Sequence, residues 1–379
     1  MIGRRPLALG VGAAALSACA RTPTRSAPPP LLHGPPLHSG ANLSAWFQLD
    51  RSCRPTRAQL AAARRSGLDH VRLPVDPWTI GWRPERAADE NPFSLLAELD
   101  AAIAMIDGEG LTINLDCHPG SEVIDFLKRN EASIEPVLLN LLRCLVRRYA
   151  SMGDERISFE LSNEPHRYCP PQTWSALQGR LIQDLRQDAG SCWLLANGGY
   201  DPISTFRTIN KYPDSRVIYA FHYYEPYVVT HQGAGWEPSA ANLFPYLDHV
   251  PYPSAILGDV AAHIRHGAPD AAYVAGALEK YRAGGWNAAR IRQRIQPFIE
   301  WRDQNGVPIL CTEFGVLRTN IDDDSRVRWI GDVVAALESA GVPWTVWDFC
   351  SSAFGVARCG ADPAPVEPRA AVALRLKGT

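Results

Sequence analysis

The sequence predicts an α/β protein, a (β/α)8 barrel of the TIM type with a long insertion between the sixth and seventh strands. Three observations carry that expectation. Short apolar runs alternate with longer segments whose apolar residues recur at three- and four-residue steps, the signature of strand and helix in turn. Eight strand runs of this kind occur in one chain. The first is followed by "QLDRSCRPT" and not by the glycine-rich turn that opens a nucleotide-binding doubly wound sheet. At 379 residues the length would allow two average domains, yet such barrels commonly exceed about 250 residues as a single unit.

The strand candidates begin with "SGANLSAWF" from Ser39 and "HVRLPV" from His70, then "LTINLDCH" from Leu111 and "ISFELSNE" from Ile157. They continue with "CWLLANGG" from Cys192, "VIYAFHYY" from Val217, "PILCTEFG" from Pro308 and "PWTVWDFC" from Pro343. Between them, "TRAQLAAARRSG" reads as a helix with a threonine cap and a terminal glycine. "IEPVLLNLLRCLVRRYA", "TWSALQGRLIQDLRQDAG", "IRQRIQPFIEWRDQNG" and "RVRWIGDVVAALESAG" repeat the helical pattern. One connection is anomalous. Residues 226–288 hold Tyr227, Trp236, Phe244, Tyr246, Tyr252, Tyr273, Tyr281 and Trp286, and connections of that length are usually lids or small subdomains.

The amino terminus reads differently. "MIGRRPLALGVGAAALSAC" has Arg4 and Arg5 ahead of an apolar run of about ten residues, too short to span a bilayer but suited to a secretory signal. Leu16-Ser17-Ala18-Cys19 resembles the lipobox of bacterial lipoproteins, which implies lipid attachment at Cys19 and anchoring to a membrane surface. A simple signal cut nearby, with secretion, is the plainer alternative. "RRPLAL" is a loose match to twin-arginine export, so the export route stays open. Residues 20–38 are rich in proline and serine without periodicity, as a tether would be. The expected division is therefore a signal peptide at 1–18, a tether at 19–38 and a folded domain at 39–379, in an exported protein, periplasmic, outer-membrane-anchored or secreted.

Composition excludes some classes. With 46% apolar residues, 21% charged residues and a formal net charge of −2, the chain can build a large core and carries no basic run suited to nucleic acid. Of nine cysteines, eight follow Cys19, an even number that permits disulfides in an exported protein without specifying the pairs. Cys350 and Cys359 are close in sequence, whereas Cys117 and Cys311 lie inside apolar strands, where a buried thiol is at least as natural. There is no CxxC pair and no HExxH, so no metal or other cofactor is expected.

In such a barrel the functional site lies at the carboxyl ends of the strands. Polar residues fall there in strand after strand: Arg72 in the second, His118 in the third, Asn163 and Glu164 in the fourth, His222 and Tyr224 in the sixth, Glu313 in the seventh and Trp347 in the eighth. Two carboxylates on opposite walls of a cleft are what cleavage of a glycosidic bond requires, one to protonate the leaving oxygen and one to attack or stabilise the anomeric carbon. Glu164 and Glu313 can supply that pair.

The set "VRLP", "LDCHPG", "SNEP", "FHYY", "CTEFG" and "TVWDF" resembles glycoside hydrolase family 5, in order, spacing and strand position, from about Ser39 to Leu376. The resemblance implies a retaining hydrolase in which Glu164 is the general acid and then base and Glu313 the nucleophile. It implies that Asn163 binds the sugar 2-hydroxyl, that Arg72 and Tyr224 partner Glu313, that His118 and His222 line the site, and that Trp347 is a stacking platform. The expected partner is a β-linked polysaccharide or oligosaccharide, most commonly a β-1,4-glucan among relatives, with mannan, xyloglucan and β-1,3-glucan as alternatives, and the expected state is a monomer. The family leaves the role of the 226–288 insertion open, and the short "PGSEV" after His118 lacks the longer loop of many relatives.

Other readings attach to the same residues. A lone arginine, histidine or tryptophan at a strand end is more often structural than functional, and Glu164 and Glu313 could be ion-paired with Arg72 or Arg167. Asp116 and His118 could be metal ligands, although the paired histidines usual in such sites are absent. The protein could also be a polysaccharide-binding lipoprotein without catalysis. Trp46, Trp78, Trp82, Trp236 and Trp286 are candidates for a longer stacking surface, Trp78 and Trp82 foremost because they follow the second strand. Asn42-Leu43-Ser44 matches a glycosylation sequon, which a bacterial-type signal argues against using.

Overall fold

The computed structural model describes residues 37–48, 54–198, 206–236, 243–351, 353–357 and 366–377. The expected signal peptide, Cys19, the tether up to residue 36, Cys53 and Cys359 lie outside the described residues.

Eight parallel strands pair in chain order and close into a barrel: β1 Ser39–Asn42, β2 His70–Val75, β3 Thr112–Cys117, β4 Ile157–Glu160, β5 Trp193–Asn197, β6 Val217–His222, β7 Ile309–Glu313 and β8 Trp344–Val346. Closure runs through β1 and β8, in the register Ala41 to Val346. The alternation within each strand explains why. In β2 the branched residues Val71, Leu73 and Val75 join the apolar layer under the helices, while Arg72 turns to the barrel axis.

The barrel interior is divided in chemistry. Trp193, Leu195, Ile218, Ala220 and Leu310, with Leu37 from the segment before β1, form a separate apolar cluster. The strands from β1 to β4 contribute buried polar side chains, namely Asn42, His70, Arg72, Asn114, Asp116, Ser158 and Glu160. Burying so many polar groups is tolerable only where they bond one another, and they do.

Helices cover the outside as their apolar periodicity requires. Thr56 caps Arg57–Ser66 by accepting from the Gln59 amide at 3.2 Å while the Gln59 side chain accepts from Thr56 N at 2.9 Å, and Gly67 ends the helix at φ 112°. Ile134–Tyr149, Pro171–Ala189, Ala288–Asn305 and Asp323–Ser339 correspond to the other patterns read in the sequence, and Leu96–Gly108 and Ser121–Arg129 add two that periodicity alone did not single out.

Between β6 and the helix Ala288–Asn305 the chain makes short turns and one longer helix, Ala271–Ala283. This segment is bonded to the barrel's own helices and loops. Tyr252 donates from its hydroxyl to Asp332 at 2.7 Å, and the Gln232 side chain bridges Val229 and Val250. Glu225, just before residues 226–288, takes a two-pronged ion pair from Arg294 at 2.5 and 2.6 Å.

The strands end earlier than the apolar runs do. β4 stops at Glu160, after which Asn163 N bonds Cys117 O at 2.8 Å and Glu164 turns into the left-handed region at φ 40°, ψ 57°, starting a short 3-10 turn. A non-glycine residue is strained there by about 1 kcal/mol or more, which is typical of residues held for function. The tight approach of β7 to β8 is built on Gly315, where a Cβ would run into the carbonyl oxygen of Trp347.

Candidate active site

The floor of the site is a single guanidinium. Arg72 has no exposed surface, and its five N–H donors are all taken. Nε bonds Glu160 Oε2 at 2.8 Å; Nη1 bonds Asn42 Oδ1 at 3.0 Å and Glu313 Oε1 at 2.6 Å; Nη2 bonds Glu160 Oε1 at 3.0 Å and Asn163 Oδ1 at 2.9 Å, with Asp116 Oδ2 2.8 Å away. Register makes this possible, because Asn42, Arg72 and Asn114 sit side by side on β1, β2 and β3, and Asp116 pairs with Glu160 one layer higher. The resemblance makes Arg72 a partner of Glu313, and it is bonded to that carboxylate. Its burial and saturation make it a residue that fixes the carboxylates and leave it no donor for a substrate.

Glu313 ends β7 and is nearly buried. Besides Arg72, it accepts from the Tyr224 hydroxyl, at 2.9 Å through Oε2. A bulge between Phe221 and His222 brings His222 into register with Glu313, so the imidazole stands between the two acids, with Nδ1 3.0 Å from Glu164 Oε1 and 3.5 Å from Glu313 Oε2. Carboxyl oxygens of Glu164 and Glu313 and a ring nitrogen of His222 all lie within 4.8 Å of one another. His222 Nε2 is buried and has no hydrogen-bond partner.

A second chain of bonds orients Asn163. Its Nδ2 donates to His118 Nε2 at 3.0 Å, which assigns the proton of that ring to Nδ1, and Nδ1 donates to Asp116 Oδ2 at 2.7 Å. One Nδ2 proton of Asn163 remains for a ligand. His118 also stacks on Trp347, centroids 5.9 Å apart and planes 22° apart, so the indole just after β8 and the amide of the loop after β4 are held by one imidazole.

Charge and burial set the protonation states. Burial pushes Glu164 above the ordinary carboxylate range against the pull of His166, His118, Arg167 and Arg72. Burial pushes Glu313 up as well, opposed by His222, Arg72 and the Tyr224 hydroxyl, while Glu164 adds to the rise. Two acids this close cannot both ionise freely, and the one with the guanidinium and phenol on it gives up its proton first. That is Glu313. Desolvation depresses His118 to about 3 and His222 to about 4, so both rings are neutral, and burial lifts Asp116 to about 7.

All eight residues read from the strand ends are thus brought into one site. The layer beneath was missed: Glu160 accepts from Arg72, from Asn114 Nδ2 at 3.0 Å and from Asn197 Nδ2 at 3.3 Å, and Asn42 holds Thr312 O and Val346 O at 2.9 and 3.1 Å. Their signal was available, since Ser158 and Glu160 alternate with Ile157 and Phe159 at the period of a strand. Asn42 is completely buried in that network, so the sequon is not a surface feature. Asp116, weighed as a metal ligand, pairs with Arg72 and His118 instead.

The wider stacking surface needs correction. Trp82 is 0% exposed and Trp46 5%, so both are packing residues. Trp78 is half-buried under the guanidinium of Arg83, 3.9 Å from the ring centroid, and Trp286 packs against the core. Trp236, from the connection after β6, is 53% exposed.

A family model described as Cellulase (glycosyl hydrolase family 5) matches residues 33–353. Endoglucanase C of Acetivibrio thermocellus is 27% identical over 329 residues, 82% of this chain and 90% of the relative. A solved structure titled endoglucanase superposes with a TM-score of 0.68 at 22% identity, over 89% of this chain and 97% of that one. A hyperthermophilic endo-beta-1,4-glucanase solved in complex with substrate gives 0.67 at 22% identity over 89% and 97%.

Proposed function

The chain belongs to the cellulase family, glycosyl hydrolase family 5, and from that membership we propose that it is a retaining endo-β-1,4-glucanase that uses Glu313 as nucleophile and Glu164 as acid and base. The observation that carries the mechanism is the close approach of the two carboxyl groups, with oxygens within 4.8 Å. Retaining enzymes hold their carboxyls about 5 to 5.5 Å apart, and inverting ones leave about 6.5 to 9.5 Å for a water.

The unequal surroundings of the pair give each acid its part. Glu313, ionised under Arg72 and Tyr224, attacks the anomeric carbon. Glu164, which keeps its proton because burial dominates, transfers it to the departing glycosidic oxygen as that bond breaks. A glycosyl ester on Glu313 results. The carboxylate of Glu164 then takes a proton from water, the water oxygen attacks the anomeric carbon, and Glu313 leaves with overall retention. Asn163, with one amide proton uncommitted, is oriented to bind the 2-hydroxyl, a bond that strengthens as positive charge develops at C1. Trp347 supports the ring of that same sugar, and His118 supports Trp347.

The name endoglucanase carried by the 27% identical relative supports a glucan cut inside the chain, and the family description, Cellulase, supports the β-1,4 linkage. The test is reducing-sugar release from carboxymethylcellulose, glucomannan, xyloglucan and laminarin, with NMR of the first product. Rapid shortening of carboxymethylcellulose with a first-formed β-anomer is expected. Exclusive action on another glycan would overturn the substrate, and a first-formed α-anomer the mechanism.

Glu164, His222 and Glu313 also form the trio of potential cation ligands among the described residues. Both oxygens of Glu313 already accept hydrogen bonds and Arg72 lies 2.6 Å away, which disfavours a cation. Full activity after exhaustive chelation is therefore expected.

We further infer export and lipid attachment at Cys19, supported by the charged start, the short apolar run and Leu16-Ser17-Ala18-Cys19. Incorporation of labelled fatty acid by the wild type and its loss in Cys19→Ala is expected; equal labelling of both would overturn it.

A further inference from the structure

Five large hydrophobic side chains are exposed among the described residues: Leu95, Trp236, Ile256, Tyr273 and Val372. Trp236 alone among them stands on the rings that line the active site. Its indole lies 6.1 Å from His231 and 6.1 Å from Phe354, inclined to them by 62° and 52°. His231 in turn meets Tyr224 edge-on at 5.1 Å, and Tyr224 bonds the carboxylate of Glu313. Tyr224 and Phe354 share an apolar cluster with Trp347. A continuous aromatic wall therefore runs from the indole of Trp347 just after β8, past Glu313, to a half-exposed indole contributed by the connection after β6.

The wall is stiff. Phe354 sits in a turn whose carbonyls, Phe354 O and Gly355 O, both accept from Arg326 Nη2 at 2.9 Å, while Ser351 Oγ accepts from Phe354 N at 3.1 Å. His231 is fixed by Thr230 Oγ1 at 2.9 Å, and Thr230 Oγ1 bonds Tyr224 O at 2.6 Å. Burial depresses His231 to about 3, so it backs the indole as a neutral ring. A partly exposed aromatic group held against fixed rings loses little conformational freedom on binding, the condition under which stacking contributes affinity.

We propose that Trp236 is the platform of an additional sugar subsite, in which a pyranose of the bound β-glycan, outside the ring carried by Trp347, stacks on the exposed part of the indole. This deepens the glucanase reading and rests on it for the identity of the sugar. It gives the 226–288 segment a function, to lengthen the cleft and make turnover depend on chain length.

Two measurements test it. The first compares kcat/KM on cellohexaose and on an aryl cellobioside. Trp236→Ala is expected to lower the ratio of the two by about 10-fold, as for loss of a central aromatic anchor, with Trp236→Phe restoring most of it. An unchanged ratio overturns the subsite, even if both rates fall together. The second is independent of turnover: affinity electrophoresis of Glu313→Gln, with and without Trp236→Ala, through gels holding hydroxyethylcellulose, glucomannan, xyloglucan or laminarin. Retardation of the single variant by one of these glycans and its loss in the double variant is expected. If the glycan is not a β-1,4-glucan, the substrate assignment fails and the subsite stands. Equal mobility of both variants in every gel overturns the subsite.

Discussion

Arg72 and Glu160 form a two-pronged ion pair at the base of the site, Nε to Oε2 at 2.8 Å and Nη2 to Oε1 at 3.0 Å, with neither side chain exposed. The pair sets the plane of the guanidinium, and that plane aims the remaining donors at Asn42, Glu313 and Asn163. Glu160 has no path to the substrate, yet the nucleophile's position depends on it.

Replacing Glu160 tests this dependence. In Glu160→Gln an amide N–H faces an arginine N–H, so one prong becomes repulsive and the buried guanidinium loses one of its carboxylate partners, keeping Asp116 and Glu313. Breaking a buried pair from one side costs about 3 to 5 kcal/mol. A drop in Tm is expected together with a fall in kcat of about 10²-fold from misplacement of Glu313. Near-normal kcat in a folded Glu160→Gln variant would show that Arg72 holds its orientation without this pair.

Tyr224→Phe removes a donor from Glu313 while keeping the ring that packs on His231 and Phe354. The hydroxyl lowers the pKa of Glu313. Its loss raises that pKa, so the acid limb of the kcat/KM profile moves to higher pH, and kcat falls by about 10-fold or more as the carboxylate loses its alignment. An acid limb in the same place would assign Tyr224 to packing alone.

The barrel was legible because each strand is a short branched or aromatic run, and all eight begin within one residue of where the runs predict. Their ends were not, since residues such as Ser162, Asn163 and Glu164 are as buried or as patterned as the strand before them. The site residues were legible because eight side chains at the ends of six strands converge only if the strands are parallel and closed. Glu160 and Asn114 escaped because their alternation with apolar neighbours marks an inward face without marking that layer as part of the site. The tryptophans were misjudged for a related reason. Trp82 and Trp236 each follow a strand of the site, but Trp82 folds under its loop, whereas Trp236 stays exposed on a connection held by the bonds of Gln232 and Thr230.

The pH dependence of turnover follows from the two raised acids. Ionisation of Glu313 opens the active range and deprotonation of Glu164 closes it, and burial raises both. The kcat/KM profile is therefore expected to be bell-shaped, with both limbs above the ordinary carboxylate range. Glu164→Gln removes the basic limb, and added azide, which needs no general base, should rescue deglycosylation and yield a β-glycosyl azide. A basic limb that survives in Glu164→Gln belongs to another group.

Asp116 links stability to pH in the opposite sense from a surface carboxylate. Four acids, Asp116, Glu160, Glu164 and Glu313, surround one guanidinium and two neutral imidazoles, and burial lifts Asp116 from 3.8 to about 7. Between those values the folded protein binds more protons than the unfolded chain, so stability falls as pH rises from about 4 to 7 and levels off above. Asp116→Asn removes this penalty, because the amide keeps one oxygen for Arg72 and His118 and carries no charge. Relative to wild type, the variant is expected to gain Tm on going from pH 5 to pH 8. The retained oxygen still accepts from His118 Nδ1, so the ring keeps its tautomer and kcat is expected to fall by less than about 10-fold. A Tm difference that is the same at both pH values would show that Asp116 is ionised throughout, held down by Arg72 against its burial.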